Sequence, residues 1–136
     1  MYPICCWTAV RRRVCRGFSI FLENISLMAP DTPIQVSISF PEQQLAEKVA
    51  KQLVTARLVA CAQLFPIQSI YRWEGIQADA EVLMQAKTVA GQLETIEQMV
   101  VASHPYEVPE IIATAIVWGH APYLDWLQRE SQEVSG

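Results

Sequence analysis

Apolar and polar residues alternate with period two through Gln35-Val-Ser-Ile-Ser-Phe40, the pattern of a half-buried strand. Pro41-Glu42 then opens a predicted helix over about 42–57, with Pro at the first helical position and Glu favourable to the dipole. Leu45, Val49, Leu53 and Val54, with Ala46 and Ala50, recur at helical spacing, and Glu47, Lys48, Lys51 and Gln52 face away. A β-favouring run from Leu58 to Ile70, broken by Pro66, continues into Tyr71-Arg-Trp73. Glu74-Gly75 signals a turn, Gln77-Ala-Asp79 reads as a polar connection, and Glu81–Thr88 returns as the second strand of an antiparallel hairpin. A second helix is predicted over about 91–103, with Leu93, Ile96, Glu97, Val100 and Val101 as its stripe. A strand over 111–118 follows, and Tyr123–Glu130 closes the chain as a short amphipathic helix.

The order β-α-β-β-α-β plus a terminal helix predicts an α+β fold, the ferredoxin-like split β-α-β, with helices on one face of an antiparallel sheet. The other face is then bare. Trp73 and Trp118 stand near strand ends, so a cover is needed and a homo-oligomer is expected.

Between the second helix and the last strand lies His104-Pro-Tyr-Glu-Val-Pro-Glu110. Each proline pushes the residue before it into extended geometry, so His104 and Val108 cannot sit inside a helix. The segment is a stiff lead-in to a buried strand, and it carries an imidazole, a phenol and two carboxylates.

Composition narrows the function classes. With 136 residues the chain forms one domain with a real core, and 51% apolar with 18% charged residues excludes disorder. No apolar stretch reaches the roughly 18 residues of a membrane span. Arg11, Arg12, Arg13 and Arg16 against Glu23 give residues 1–27 a charge of +3, which leaves −7 of the total −4 on residues 28–136. So acidic a body is a poor partner for nucleic acid and suits cations better. Cys5, Cys6 and Cys15 lie in the N-terminal stretch, and Cys61 alone lies in the body, flanked by Val59-Ala60 and Ala62. One such cysteine builds no disulfide framework, points to a reducing compartment, and is expected to be a small core residue. Residues 1–33 read as an extension to a domain of residues 34–136. Met28 is the expected true start, which makes residues 1–27 an over-long gene reading, with an organelle-targeting segment as the alternative.

Five blocks occur in order: Leu58-Val-Ala-Cys-Ala-Gln63, Ser69-Ile-Tyr-Arg-Trp-Glu-Gly75, Glu81–Thr88, His104-Pro-Tyr-Glu-Val-Pro-Glu-Ile-Ile-Ala113 and Tyr123-Leu-Asp-Trp126. Together they resemble the CutA family, the divalent-cation tolerance proteins, over about residues 35–130. The resemblance implies a ferredoxin-like subunit in a homotrimer whose sheets pack around a threefold axis. It also implies a role in tolerance of copper and other divalent metals, with no established enzymatic reaction. Two departures stand out: Ile38 occupies the position where some bacterial members carry a cysteine proposed as a copper ligand, and residues 1–33 have no counterpart.

His104, Glu107 and Glu110 are the candidate metal ligands, because imidazole with carboxylate suits Cu²⁺ or Zn²⁺. His104 and Glu110 would stand about 20 Å apart on a straight strand, so a shared ion needs a bend at a proline or a ligand from a neighbouring subunit. The competing expectation has His104 capping the helix or bonding locally, Glu110 pairing with a base such as Lys87, and His120 solvated. Tyr71, Trp73, Lys87 and Tyr106, with Trp118, form a second constellation. They read either as an aromatic wall with one lysine for a small anion or as subunit-interface packing. The domain has no serine nucleophile elbow, HExxH or CxxC, so the sequence motivates no enzyme. Divalent-cation binding by a cytoplasmic homotrimer is the leading expectation. A small-ligand signalling trimer like the nitrogen-regulatory PII proteins, or a structural anchoring trimer, is the alternative.

Overall fold

The computed structural model describes residues 28–132, so the expectations for residues 1–27 lie outside the described residues. The elements are β1 (Pro33–Phe40), α1 (Gln43–Thr55), β2 (Cys61–Arg72), β3 (Ile76–Val89), a 3-10 turn (Ala90–Gln92), α2 (Leu93–Ser103), β4 (Ile111–Ala115) and α3 (Ala121–Glu130). The strands form one antiparallel sheet in the order β2-β3-β1-β4, which is the ferredoxin-like α+β arrangement.

The alternation in β1 does what it predicts. Ile34, Val36, Ile38 and Phe40 point to one side, beside Val82, Met84 and Ala86 of β3. Ala46, Val49, Ala50 and Leu53 of α1 and Ile96 and Val100 of α2 close over them. Val54 and Val101, expected on those stripes, are 42% and 49% exposed. Pro41 precedes α1 rather than opening it, because Glu42 is the extended N-cap residue.

At its other end α1 closes as a Schellman turn. The Arg57 N–H donates to the Val54 carbonyl and the Leu58 N–H to the Leu53 carbonyl, with Arg57 itself in the left-handed region at φ 59°.

Three strand boundaries differ from the expectation, each for a pairing reason. β1 meets β3 only from Val82 to Val89, so beyond Pro66 the β2–β3 hairpin runs on as a two-stranded arm in which residues 77–79 are strand, not connection. Pro66 does not break β2, because β2 is the edge strand and the missing N–H need not face a partner. β4 ends at Ala115, opposite Ile34, because β1 starts at Pro33, whose carbonyl accepts one last bond from the Ile116 N–H. Val117 and Trp118 are therefore 95% and 82% exposed, and β4 itself, expected to be buried, is exposed from Ile112 to Ala115.

The helices do not all share one face. Leu127 of α3 packs with Val89 and Ala60, joined by Ile116 and Trp126, in a second small core on the opposite side of the sheet. Cys61 is directly opposite Lys87, on that second face, and is half-buried rather than a core residue. Residues 28–33, expected outside the domain, are tied into it. The Ala90 and Gly91 N–H groups donate to the Thr32 and Pro30 carbonyls, and Met28 packs against the main core. A Cβ on Gly91 would lie 3.0 Å from the Pro30 carbonyl oxygen, so a side chain there would press the 28–33 segment outward.

Candidate functional site

The face opposite α1 and α2 carries Ser37 and Ser39 from β1, then Glu81, Leu83, Gln85 and Lys87 from β3. From β2 it carries Gln63, Phe65, Ile67, Ser69 and Tyr71. At the end of this face away from α3, the chain between α2 and β4 folds over the sheet. There Ser39, Ser69, Tyr71, Glu81, Tyr106, Val108, Pro109 and Glu110 line a cleft of about 290 Å³. Glu81 and Glu110 put two carboxylates on it. Tyr106 Oη donates to Glu81 Oε2 at 3.3 Å, and Tyr71 Oη donates to Asp79 Oδ2 at 2.5 Å. The donor set is oxygen only: carboxylates, phenols and hydroxyls.

His104 is not on the cleft wall. It follows the last residue of α2 with ψ 135°, the extended geometry imposed by Pro105, and its side chain is buried. Nδ1 accepts the Tyr106 backbone N–H at 3.1 Å, so that nitrogen carries no proton. Nε2 lies 2.7 Å from the Ser39 carbonyl and must be the donor there. The ring stacks on Phe40, with centroids 5.1 Å apart, and meets Tyr106 at 4.8 Å. Neither nitrogen has a free lone pair, so this arrangement does not present His104 as a metal ligand. One of its two bonds is local, to Tyr106, and the other reaches across to β1.

Glu107 is exposed on the loop, away from the cleft lining. The structure therefore does not bring His104, Glu107 and Glu110 together. Among the described residues no three of His, Cys, Asp and Glu gather as a metal cluster. Lys87 pairs with the Gln63 side chain rather than with Glu110.

The aromatic constellation also divides. Tyr71 and Tyr106 share the cleft, and Trp73 lies just beyond Tyr71 at the tip of the arm. Lys87 is opposite Cys61, ten residues back along β2 from Tyr71, or about 33 Å. Trp118 lies past the other end of β4. Among the described residues Tyr71, Trp73, Tyr106 and Trp118 therefore do not form one wall around Lys87. At that far end Tyr123 of α3 reaches Cys61, with Oη and Sγ 3.6 Å apart. Burial, and then the contact with Cys61, pushes the phenol up to about 12, so it stays neutral.

Sequence reasoning missed Glu81, Ser39 and Ser69. The available signal was parity. Once Ile38, Phe40, Val82 and Met84 are taken as core, Ser39 and Glu81 must share the other face.

A four-stranded antiparallel sheet with two helices on one face, one helix on the other and an oxygen-lined acidic cleft defines a small α+β protein of ferredoxin-like fold. The model of the CutA1 divalent ion tolerance protein family matches residues 34–130. The chain belongs to that family. Protein CutA of Mus musculus is 41% identical over 108 residues, covering 76% of this chain and 61% of its own length. The divalent-cation tolerance protein CutA of Thermus thermophilus is 42% identical over 98 residues, covering 71% of this chain and 95% of its own. The structure of the periplasmic divalent cation tolerance protein CutA from Archaeoglobus fulgidus superposes with a TM-score of 0.72 at 35% identity, covering 74% of this chain and 99% of that one. The chain thus spans about three-fifths of the mouse relative. The Thermus and Archaeoglobus relatives are named for tolerance of divalent cations.

Proposed function

We propose that this chain is a divalent-cation-binding protein of metal tolerance, without enzymatic activity, that holds its ion at the Glu81–Glu110 cleft. The observation that carries the reading is the placing of two carboxylates from different elements, β3 and the α2–β4 loop, on one cleft lined by phenol and hydroxyl oxygens. Two carboxylates completed by water make an exchangeable site, fitting for tolerance rather than tight storage. Cu²⁺ binds a given oxygen or nitrogen donor set more strongly than the other first-row divalent ions, with Zn²⁺ behind it, so copper is the first metal to test.

Calorimetric titration of Cu²⁺ and Zn²⁺ into the full chain is expected to give saturable binding at a fixed ratio per subunit. Glu81→Gln with Glu110→Gln should weaken it at least about tenfold, or about 1.4 kcal/mol. Saturable binding that the double substitution leaves unchanged would place the ion elsewhere, and no binding at all would make the tolerance role indirect.

The working form is proposed to be a homotrimer. Ile70 and Ile76 on the arm are 72% and 74% exposed, and Ile112, Val117 and Trp118 expose further apolar surface along β4 and beyond it. Light scattering of the full chain at micromolar concentration is expected to return three times the subunit mass, and a monomer mass there would sink the idea. We place the protein in the cytoplasm, consistent with Cys61 as a free thiol. Among the described residues no helix is long and apolar enough to cross a membrane.

A further inference from the structure

We infer that His104 is a positioning residue: as the Nε2–H tautomer it fastens the 104–110 loop to β1 and thereby sets the spacing of Glu81 and Glu110 across the cleft. Its consequence for cation affinity rests on the cation-binding reading above. The fastening itself does not.

Pairing between β1 and β4 stops at Ile38–Ile111, so beyond it this edge of β1 has no strand partner. The His104 Nε2–H takes the Ser39 carbonyl there at 2.7 Å, doing for the loop what a ladder bond does for a strand. The other nitrogen turns back on the chain. Nδ1 accepts the N–H of Tyr106 two residues on, which closes a turn of the kind Asx side chains make. Pro105 between them fixes its own φ and donates nothing, so the turn has little freedom. Phe40 and Tyr106 hold the ring on its two sides.

This arrangement orients Tyr106, and through its phenol Glu81 at 3.3 Å. The same turn sets the direction in which the chain leaves toward Pro109 and Glu110. One wall of the cleft is thus referred to the rigid sheet through a single buried imidazole. A ligand set about 1 Å out of place loses much of its affinity, so the ring that fixes the loop bears on which ion fits.

Two substitutions separate the two bonds. His104→Asn keeps an acceptor in reach of the Tyr106 N–H but cannot reach Ser39. His104→Gln can donate to Ser39 but offers the turn no acceptor at the same place. Nitrogen NMR of the wild-type ring is expected to show the Nε2–H tautomer, and the Nδ1–H tautomer would overturn the inference. Hydrogen exchange of the Tyr106 amide, taken relative to a core amide such as Met84, is expected to stay near wild type in His104→Asn. In His104→Gln it should rise by about tenfold or more. Equal relative exchange in both variants would overturn it, because a purely structural histidine would loosen both alike. Cu²⁺ affinity should fall about fivefold or more in both variants, because the Asn variant loses the bond to Ser39 and the Gln variant loses the turn at Tyr106. Affinity equal across all three proteins would remove the role in spacing the carboxylates. Should the wild type bind no ion, the cation reading fails, and the tautomer and amide measurements still decide the fastening.

Discussion

Phe40→Ala is expected to cost about 3–5 kcal/mol of folding stability, the range for removing a buried aromatic ring and leaving a cavity. Phe40 is fully buried as the last residue of β1, opposite Val82, in the main core. The surrounding residues cannot collapse into the space, because Ile38 and Met84 are anchored on paired strands. The ring also forms one face of the His104 pocket, with the two centroids 5.1 Å apart. Its removal should therefore loosen the Tyr106 amide beyond what the global loss explains. Urea denaturation measures the first effect, as a lower midpoint with an unchanged slope. Hydrogen exchange measures the second. A loss below about 1 kcal/mol would mean that the core end of β1 is far less tightly packed than the burial implies.

The part of the fold legible in the sequence was the part with a partner on one side only. β1 and α1 bury one face each, so period two and period 3.6 show directly in their residues, apart from Val54 at the helix end. The arm from Ile67 to Glu81 is only partly covered on one face, by the loop over the cleft, and packs on no helix. Without a core it carries no alternation, and Gln77–Asp79 looked like a connection although they pair with Ser69–Tyr71. The opposite error occurred at Val117-Trp118, where an apolar run promised a strand. Strand length, however, is set by the partner, and β1 begins at Pro33. Residue types cannot report where a neighbouring strand starts.

The candidate site was half legible for a similar reason. The prolines fixed the backbone around His104 as expected, which is a local effect. Whether its ring faced solvent or the core depended on Phe40 and Ser39, more than sixty residues away. Chemistry drew attention to His104, Glu107 and Glu110 together. The fold kept Glu110 on the cleft, whose lining also includes Glu81, a residue placed there by hairpin register.

Arg57 gives the second large effect, and two substitutions there separate backbone from side chain. A left-handed residue at the end of a helix is usually glycine, since any Cβ costs about 1 kcal/mol in that conformation. This chain carries arginine at φ 59° instead. The guanidinium offsets the cost by binding the end of α3. Nε donates to the Gln132 carbonyl and Nη2 to the Arg129 carbonyl, each at 2.9 Å, while Nη1 lies 3.3 Å from Glu130 Oε2. A cation at a helix C-terminus meets the carbonyls that the helix leaves unpaired. Arg57→Ala keeps the backbone strain and loses all three contacts, so it should destabilise by about 2 kcal/mol, a value held down by partial exposure of the ion pair. Arg57→Gly loses the same contacts but relieves the backbone, and should recover about 1 kcal/mol of that loss. In both variants the amides of the last turn of α3 should exchange faster, since the carbonyls at its end lose the guanidinium that holds them. If the glycine variant instead equals or exceeds the wild type and the α3 amides stay protected, the guanidinium contributes nothing net. The second core around Leu127 would then suffice to seat α3.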